Sequence, residues 1–376
     1  LPRPPRPSSA TRPSTAPPSA RSTGSLSRRM MGVAALWILI MLVGGGMALD
    51  RLSIDILHLV HFKIFGPPPV SDEIAILAVD EETYRDPHFR NMPQALWTPD
   101  LGKVLDAVLD AAPKVVGVDI IIGTTADSIS PGYDRPWLKA LRRAADQDRI
   151  VLGFAQNQAD PILPTLQQRA AIRDSDNNFR NQGAVNPLTD TDGVVRRMPL
   201  TLGSNRGAVL TLSAAIYGKA IGADAKGFDD KAPLLLNFAM AKRPMLYSLA
   251  DLRACVDAGK TDFFKLQFAG KIVLLGGILD IEDRKLTSKR FATLPEGDRG
   301  EPRCASKEVE QTYFSGFARD TIPGVLVHAA AIDNLVHHND LKLLPDWSRF
   351  PLLVAISFLS RSEERRVGKE CLRLCR

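Results

Sequence analysis

The chain has 376 residues, of which 45% are apolar and 24% charged, enough for a sizeable folded core and too apolar for a wholly disordered protein. Its net charge of +6 sits at the ends: residues 1–30 hold six Arg and no acid, residues 361–376 hold six basic residues against three Glu, and the body between them is near −3. With no Lys/Arg run interleaved with aromatics to follow a phosphate backbone, a nucleic-acid partner is not expected.

Residues 1–29 are Pro, Ser, Thr and Arg without an apolar period, so they read as a disordered cytoplasmic leader, and because residue 1 is not Met an upstream start is expected. Residues 30–49, "MMGVAALWILIMLVGGGMAL", are uncharged and match the roughly 20 residues that a helix needs to cross a bilayer. Arg28 and Arg29 stand before them, which places the N-terminus in the cytoplasm and the following residues outside it. A cleaved signal peptide is the alternative; its usual apolar length is shorter and no A-x-A spacing is present. Residues 50–70 then read as a juxtamembrane helix and a rigid break at Pro67 to Pro69.

From 71 to 346 apolar runs alternate with amphipathic segments. "EIAILAVD" and "KVVGVDIII" read as strands buried on both faces, joined by a helix with Thr98 as N-cap, Pro99 in its first turn and Leu101, Val104, Leu105, Val108 and Leu109 on one face. A helix near Trp137 to Ala145, the strand "RIVLGFA" and a polar loop to about Gly183 come next. A D-G turn at Asp192–Gly193 leads into "VVRRMPLTL", and then come a helix with Val209, Leu212, Ile216 and Ala220, "PLLLNF", "GKIVLLGG" and a last helix from Gly324 to His338. The expected fold is α/β, a mostly parallel sheet flanked by helices. Residues 350–360 read as the start of another membrane helix. Residues 361–376 contain "RSEERRVGKEC", which back-translates to a common short-read sequencing adaptor, so an artefactual tail is expected there.

Phosphate-binding loops, dinucleotide fingerprints, zinc-protease and nucleophile-elbow motifs are missing, and "DSDNNF" has Phe179 where an EF-hand needs Gly. Neither a metal nor a cofactor is expected. Asp80 and Asp119 are the first candidate ligand residues, because each ends a buried parallel strand, where open α/β sheets bind their ligands. Capping of the following loop is the simpler account of both. Arg196 is a third, in "DTDGVVRRMPL", where Asp190 and Asp192 belong to a turn and Arg196 and Arg197 point to opposite faces, so that only one can reach a given pocket. His328 is the fourth. At about 100° per residue it lies about 140° from Asp333 and 180° from His337, so these three cannot converge on one ion. The expected core face of that helix is Val325, Ala329, Ile332 and Val336, with His337, His338 and Asn339 at its wet end. Cys255 and Cys304, the two cysteines of the body, can pair in an oxidising compartment.

The succession of one membrane anchor, "AVDEETY", "GVDIII", "NPLTDTDGVVRRMPL", "YSLADL", "GKIVLLGG" and "IPGVLVHAAAIDNL" resembles the second class of the CHASE family, the cyclase/histidine-kinase-associated sensory extracellular domains, over about Arg51 to Leu344. The resemblance implies a non-catalytic extracytoplasmic sensor of a bacterial receptor in the inner membrane, commonly a homodimer, responding to a small-molecule or protein signal. Further membrane helices and a cytoplasmic output module, a cyclase, kinase or diguanylate cyclase, are implied beyond it. The family's ligands are generally unknown, so it carries no binding residues over. Residues 280–320 depart from the family in length and polarity. The alternative from another class is a membrane-anchored enzyme using Asp80 and Asp119.

Overall fold

The computed structural model describes residues 45–342, apart from 158–159, 177, 205–206, 223–224, 229–231, 282, 289–302 and 305–320. The leader at 1–29, most of the expected span at 30–49, the segment at 350–360, the tail at 361–376 and most of the excursion at 280–320 therefore lie outside the described residues. Among the described residues no helix is long and apolar enough to cross a membrane. Two compact units are present, 1–54 and 55–376; of the first, only helical residues 45–54 are described. The second holds every strand and all the remaining helices.

In chain order the elements are α1 (Gly45–Phe65), β1 (Val70–Val79), α2 (Glu81–Arg85), α3 (Thr98–Asp110), β2 (Val115–Val118), α4 (Arg135–Asp146), β3 (Ile150–Phe154), α5 (Leu166–Ala171) and β4 (Gln182–Ala184). Next come β5 (Leu188–Thr189), β6 (Val195–Met198), β7 (Thr201–Ser204), β8 (Gly207–Leu210), α6 (Leu212–Ile221), β9 (Leu234–Leu235) and β10 (Arg243–Ser248). The chain closes with α7 (Leu249–Asp257), α8 (Thr261–Phe268), β11 (Ile272–Gly277), β12 (Arg284–Leu286), β13 (Thr321–Pro323) and α9 (Gly324–His337).

Six strands form one parallel sheet in the order β10-β1-β11-β2-β3-β4. Alternate residues of each strand enter two separate cores. Ala75, Leu77 and Val79 of β1 pack on the face covered by α3, α4, α7 and α8, whereas Ile74, Ile76 and Ala78 pack on the face covered by α6 and α9. Every crossover toward β4 uses the first face, and the one return, from β4 to β10, uses the second through α6. A constant right-handed crossover requires this division. β11 is the exception that matters, since its onward chain goes to α9 on the second face while its neighbours β1 and β2 lead to the first. Such a divergence opens a crevice over the carboxyl end of a sheet.

Two glycines let the second-face helices sit close. A Cβ on Gly117 of β2 would come within 2.1 Å of Ile216 Cδ1 on α6, and one on Gly276 of β11 within 2.5 Å of Val325 Cγ2 on α9. The helices that carry Ser213 and His328 are thereby seated directly on the strands that end at Asp119 and Gly277.

Several expectations change. Thr98 begins α3 but does not cap it; its hydroxyl donates to Asp134 Oδ1 at 2.6 Å, and Trp97 stands at the cap position. The loop to Gly183 contains α5 and the sixth strand, β4. α9 is buried on nearly all sides from Gly324 to Asn334, not along one face, because it is wedged between the sheet, α6 and the small strands. His338 is exposed and ends the helix in the left-handed region, but Asn339 is bonded to Asn334 and Asn237 rather than left to water. Cys255 on α7 and Cys304 form a disulfide with Cα atoms 5.7 Å apart, an ordinary span for such a bridge.

Candidate functional site

Asp80 follows β1 and caps α2. Its Oδ1 accepts bonds from Thr83 N at 2.8 Å, Thr83 Oγ1 at 2.7 Å and Ser248 Oγ at 2.9 Å. Burial pushes its carboxyl up to about 6, against the pull of those donors. Its Oδ1 is engaged by the turn that starts α2 and by Ser248 at the end of β10, and among the described residues it shares no partner with Asp119, from which β11 separates it. The two carboxylates do not form a pair, so the geometry offers no shared acid/base or cation site to them.

Asp119 instead continues the register of Val115 and Gly117 past the end of β2 and faces α9. Its backbone N–H donates to Leu275 O at 2.7 Å, which extends the β2–β11 pairing by one residue and fixes its side chain at the crevice. His328 Nε2 lies 3.7 Å from Oδ1, beyond hydrogen-bond length, and both side chains are nearly inaccessible, 3% and 5% exposed. The imidazole is held at both nitrogens: Val185 O accepts from Nε2 at 3.2 Å, so Nδ1 accepts from Ser213 Oγ at 2.8 Å. That arrangement suits a neutral ring, and burial pulls its pKa down to about 4, opposed by the Val185 bond and the field of Asp283. Burial likewise pushes the Asp119 carboxyl well above its ordinary value, Asp283 adding to the shift and Lys285 pulling part of it back. The structure therefore brings together two of the four candidates, Asp119 and His328, with Ser213, Val185, Asp283 and Lys285 around them.

Arg196 is elsewhere and fully buried. Its Nε donates to Asp55 Oδ1 at 3.0 Å and Nη2 to Asp55 Oδ2 at 2.7 Å, a two-pronged bond to α1. Nη1 donates to Asp190 Oδ2 and Asp192 Oδ1, both at 3.0 Å, and Nη2 to Asp192 Oδ2 at 2.9 Å. All five donors are used. Burial alone would loosen the guanidinium's proton, and the three carboxylates more than offset it, so its pKa rises. The opposite-face expectation fails at Asp190: Arg197 Nη1 donates to its Oδ1 at 2.5 Å while Arg196 takes Oδ2. The Asp190–Gly193 turn, with Gly193 at φ +80°, sits at the strand end, within reach of both long side chains.

Ser213, Asp55 and the Val185 carbonyl were not visible as partners in the sequence. Asp55 had a signal, a lone acid on a helical face with His58 and Phe62 at i+3 and i+7. Asp333 and His337 do meet at i,i+4 spacing, 3.4 Å apart, with Glu73 Oε1 3.4 Å from His337 Nε2. These contacts fall on opposite ring nitrogens, and no group of three metal-ligating side chains occurs among the described residues.

No curated protein and no solved structure matches the chain. The family model of the CHASE2 domain matches residues 33–361, which takes in the sheet, both helical layers and the Asp119–His328 crevice. The chain therefore belongs to the CHASE2 domain family, whose members are non-catalytic extracellular sensor modules of membrane signalling receptors.

Proposed function

We propose that this domain is the extracytoplasmic sensor of a bacterial receptor in the inner membrane, relaying an external small-molecule or protein signal to a cytoplasmic cyclase, kinase or diguanylate cyclase module. The observation that carries the reading is the family match over residues 33–361. The Cys255–Cys304 disulfide supports an oxidising compartment. The Arg196–Asp55 bond supports a relay, because it ties the sheet domain to α1, which begins within the last residues of the expected membrane span and continues beyond it.

The reading includes a homodimer. Ile56, Leu57, Val60 and Ile64 of α1 share one exposed face, opposite the buried Asp55, His58 and the inward-packed Phe62. Two copies anchored in one membrane would present that apolar face in parallel.

A pair of fusions after Lys342 tests the location. An alkaline phosphatase that folds only outside the cytoplasm is expected to be active there, and a fluorescent protein that matures only inside is expected to be dark. The reverse pattern would remove the sensor reading. The relay is tested by joining the chain to a reporter kinase and asking whether Asp55→Ala changes its basal output; an unchanged output would sever α1 from signalling.

A further inference from the structure

We propose that Asp119 is the anionic anchor of a binding site for a small organic cation with N–H donors, an alkylammonium or guanidinium group. The inference rests on the sensor reading and names the class of its ligand.

The Asp119 side chain is 5% exposed, yet no described group donates a hydrogen bond to it; the Nε2 of His328 is 3.7 Å away and already engaged with Val185 O. A buried acceptor without a donor costs roughly 1–3 kcal/mol, more when charged, so a fold keeps one where a partner arrives later.

Charge selects that partner. Among the described residues the charged groups facing Asp119 are Asp283 and Lys285, which pair with each other at 2.7 Å, and His328 is held neutral between Ser213 and Val185. Ionised Asp119 thus carries one uncompensated negative charge, which one monovalent cation cancels. A divalent metal fits poorly, since no group of three metal-ligating side chains occurs among the described residues and such ions need several oxygen or nitrogen ligands. An ammonium or guanidinium needs only acceptors.

Thermal unfolding of the purified chain with methylammonium, putrescine or agmatine, and with tetramethylammonium as a cation lacking N–H groups, tests this. At least one N–H amine is expected to raise Tm, tetramethylammonium is expected not to, and Asp119→Asn is expected to weaken the effective amine at least tenfold. The free Asp119→Asn protein is expected to melt no lower than the wild type, because the carboxylate it replaces has no donor. Calorimetry in two buffers at pH 7 should show a proton released on amine binding to the wild type and none with Asp119→Asn.

Three results would overturn the proposal: no amine shift, a shift that survives in Asp119→Asn, or a free Asp119→Asn protein that melts several degrees lower. A reporter-kinase fusion separates this from the broader reading. Amine binding without an output response leaves the site standing and removes the sensor reading, and an output response to other signals without amine binding does the reverse.

Discussion

Two buried polar clusters in this domain have opposite chemistry. Around Arg196 every guanidinium N–H has an acceptor, and three carboxylates from α1 and the β5–β6 turn surround one cation. Around Asp119 the His328 ring is satisfied at both nitrogens while the carboxylate beside it is not. A fully satisfied network fixes geometry, whereas a partly satisfied one persists where a second partner has a use for it. The first cluster therefore reads as the joint to α1 and the second as the place where a ligand changes the energy.

The sharpest way to break this contrast is Arg196→Met. It removes the two-pronged guanidinium bond from Asp55, which is 0% exposed, and removal of one partner from a buried pair costs about 3–5 kcal/mol. Urea unfolding is expected to show a loss in that range, and Asp55→Leu placed in the same chain is expected to restore at least half of it. A loss below 1 kcal/mol would mean that the clasp is not a structural joint.

How far the sequence reveals these clusters depends on what each is made of. Strands β1, β2, β3 and β11 are legible because a sheet covered on both faces demands unbroken apolar runs such as "AILAV" and "IVLL". The edge strands are not: β4 is three residues of Gln, Gly and Ala, and β10 begins with Arg and Pro, because an edge needs neither length nor apolar continuity. Asp119 and His328 stand out as candidates, one at a strand end and one in an apolar helix, but their meeting depends on α9 returning over β11. The Val185 carbonyl leaves no trace in a sequence at all, and Ser213 is an ordinary polar residue near a helix start. Asp80 shows the converse. Its strand-end position suggested a ligand or a cap, and its Oδ1 caps α2 through Thr83.

Protonation sharpens the comparison next. His328 has its pKa pulled down to about 4 from 6.5, so its contribution is intact above pH 6.5 and is lost as pH falls toward 4. A shift of that size corresponds to about 3 kcal/mol. Asp80 works the other way: with a folded value of about 6 against 3.8, its contribution is present below pH 3.8 and is lost as pH rises through 6, by about 2–3 kcal/mol. Between pH 4 and 6 the two slopes oppose each other in the wild type. Urea unfolding across pH 4 to 8 is expected to separate them. Relative to the wild type, stability should fall more steeply with rising pH in His328→Gln and less steeply in Asp80→Asn. Unchanged profiles in both variants would show that neither group is buried as described.

The smallest effect is expected at Arg197, although its contact looks as short as any in the clasp. Its bond to Asp190 measures 2.5 Å, but the side chain is 30% exposed and makes this single ion pair, while Arg196 supplies the same carboxylate from the buried side. Water can replace Arg197 at Asp190 Oδ1; it cannot reach the Arg196–Asp55 bond, where both partners are inaccessible. Half-exposed pairs of this kind contribute about 0–1 kcal/mol, and Arg197→Ala is expected to fall in that range and to leave the Arg196→Met loss unchanged when the two are combined. A larger cost would place Arg197 inside the clasp. The joint to α1 would then rest on two cations sharing Asp190, not on the one that reaches Asp55.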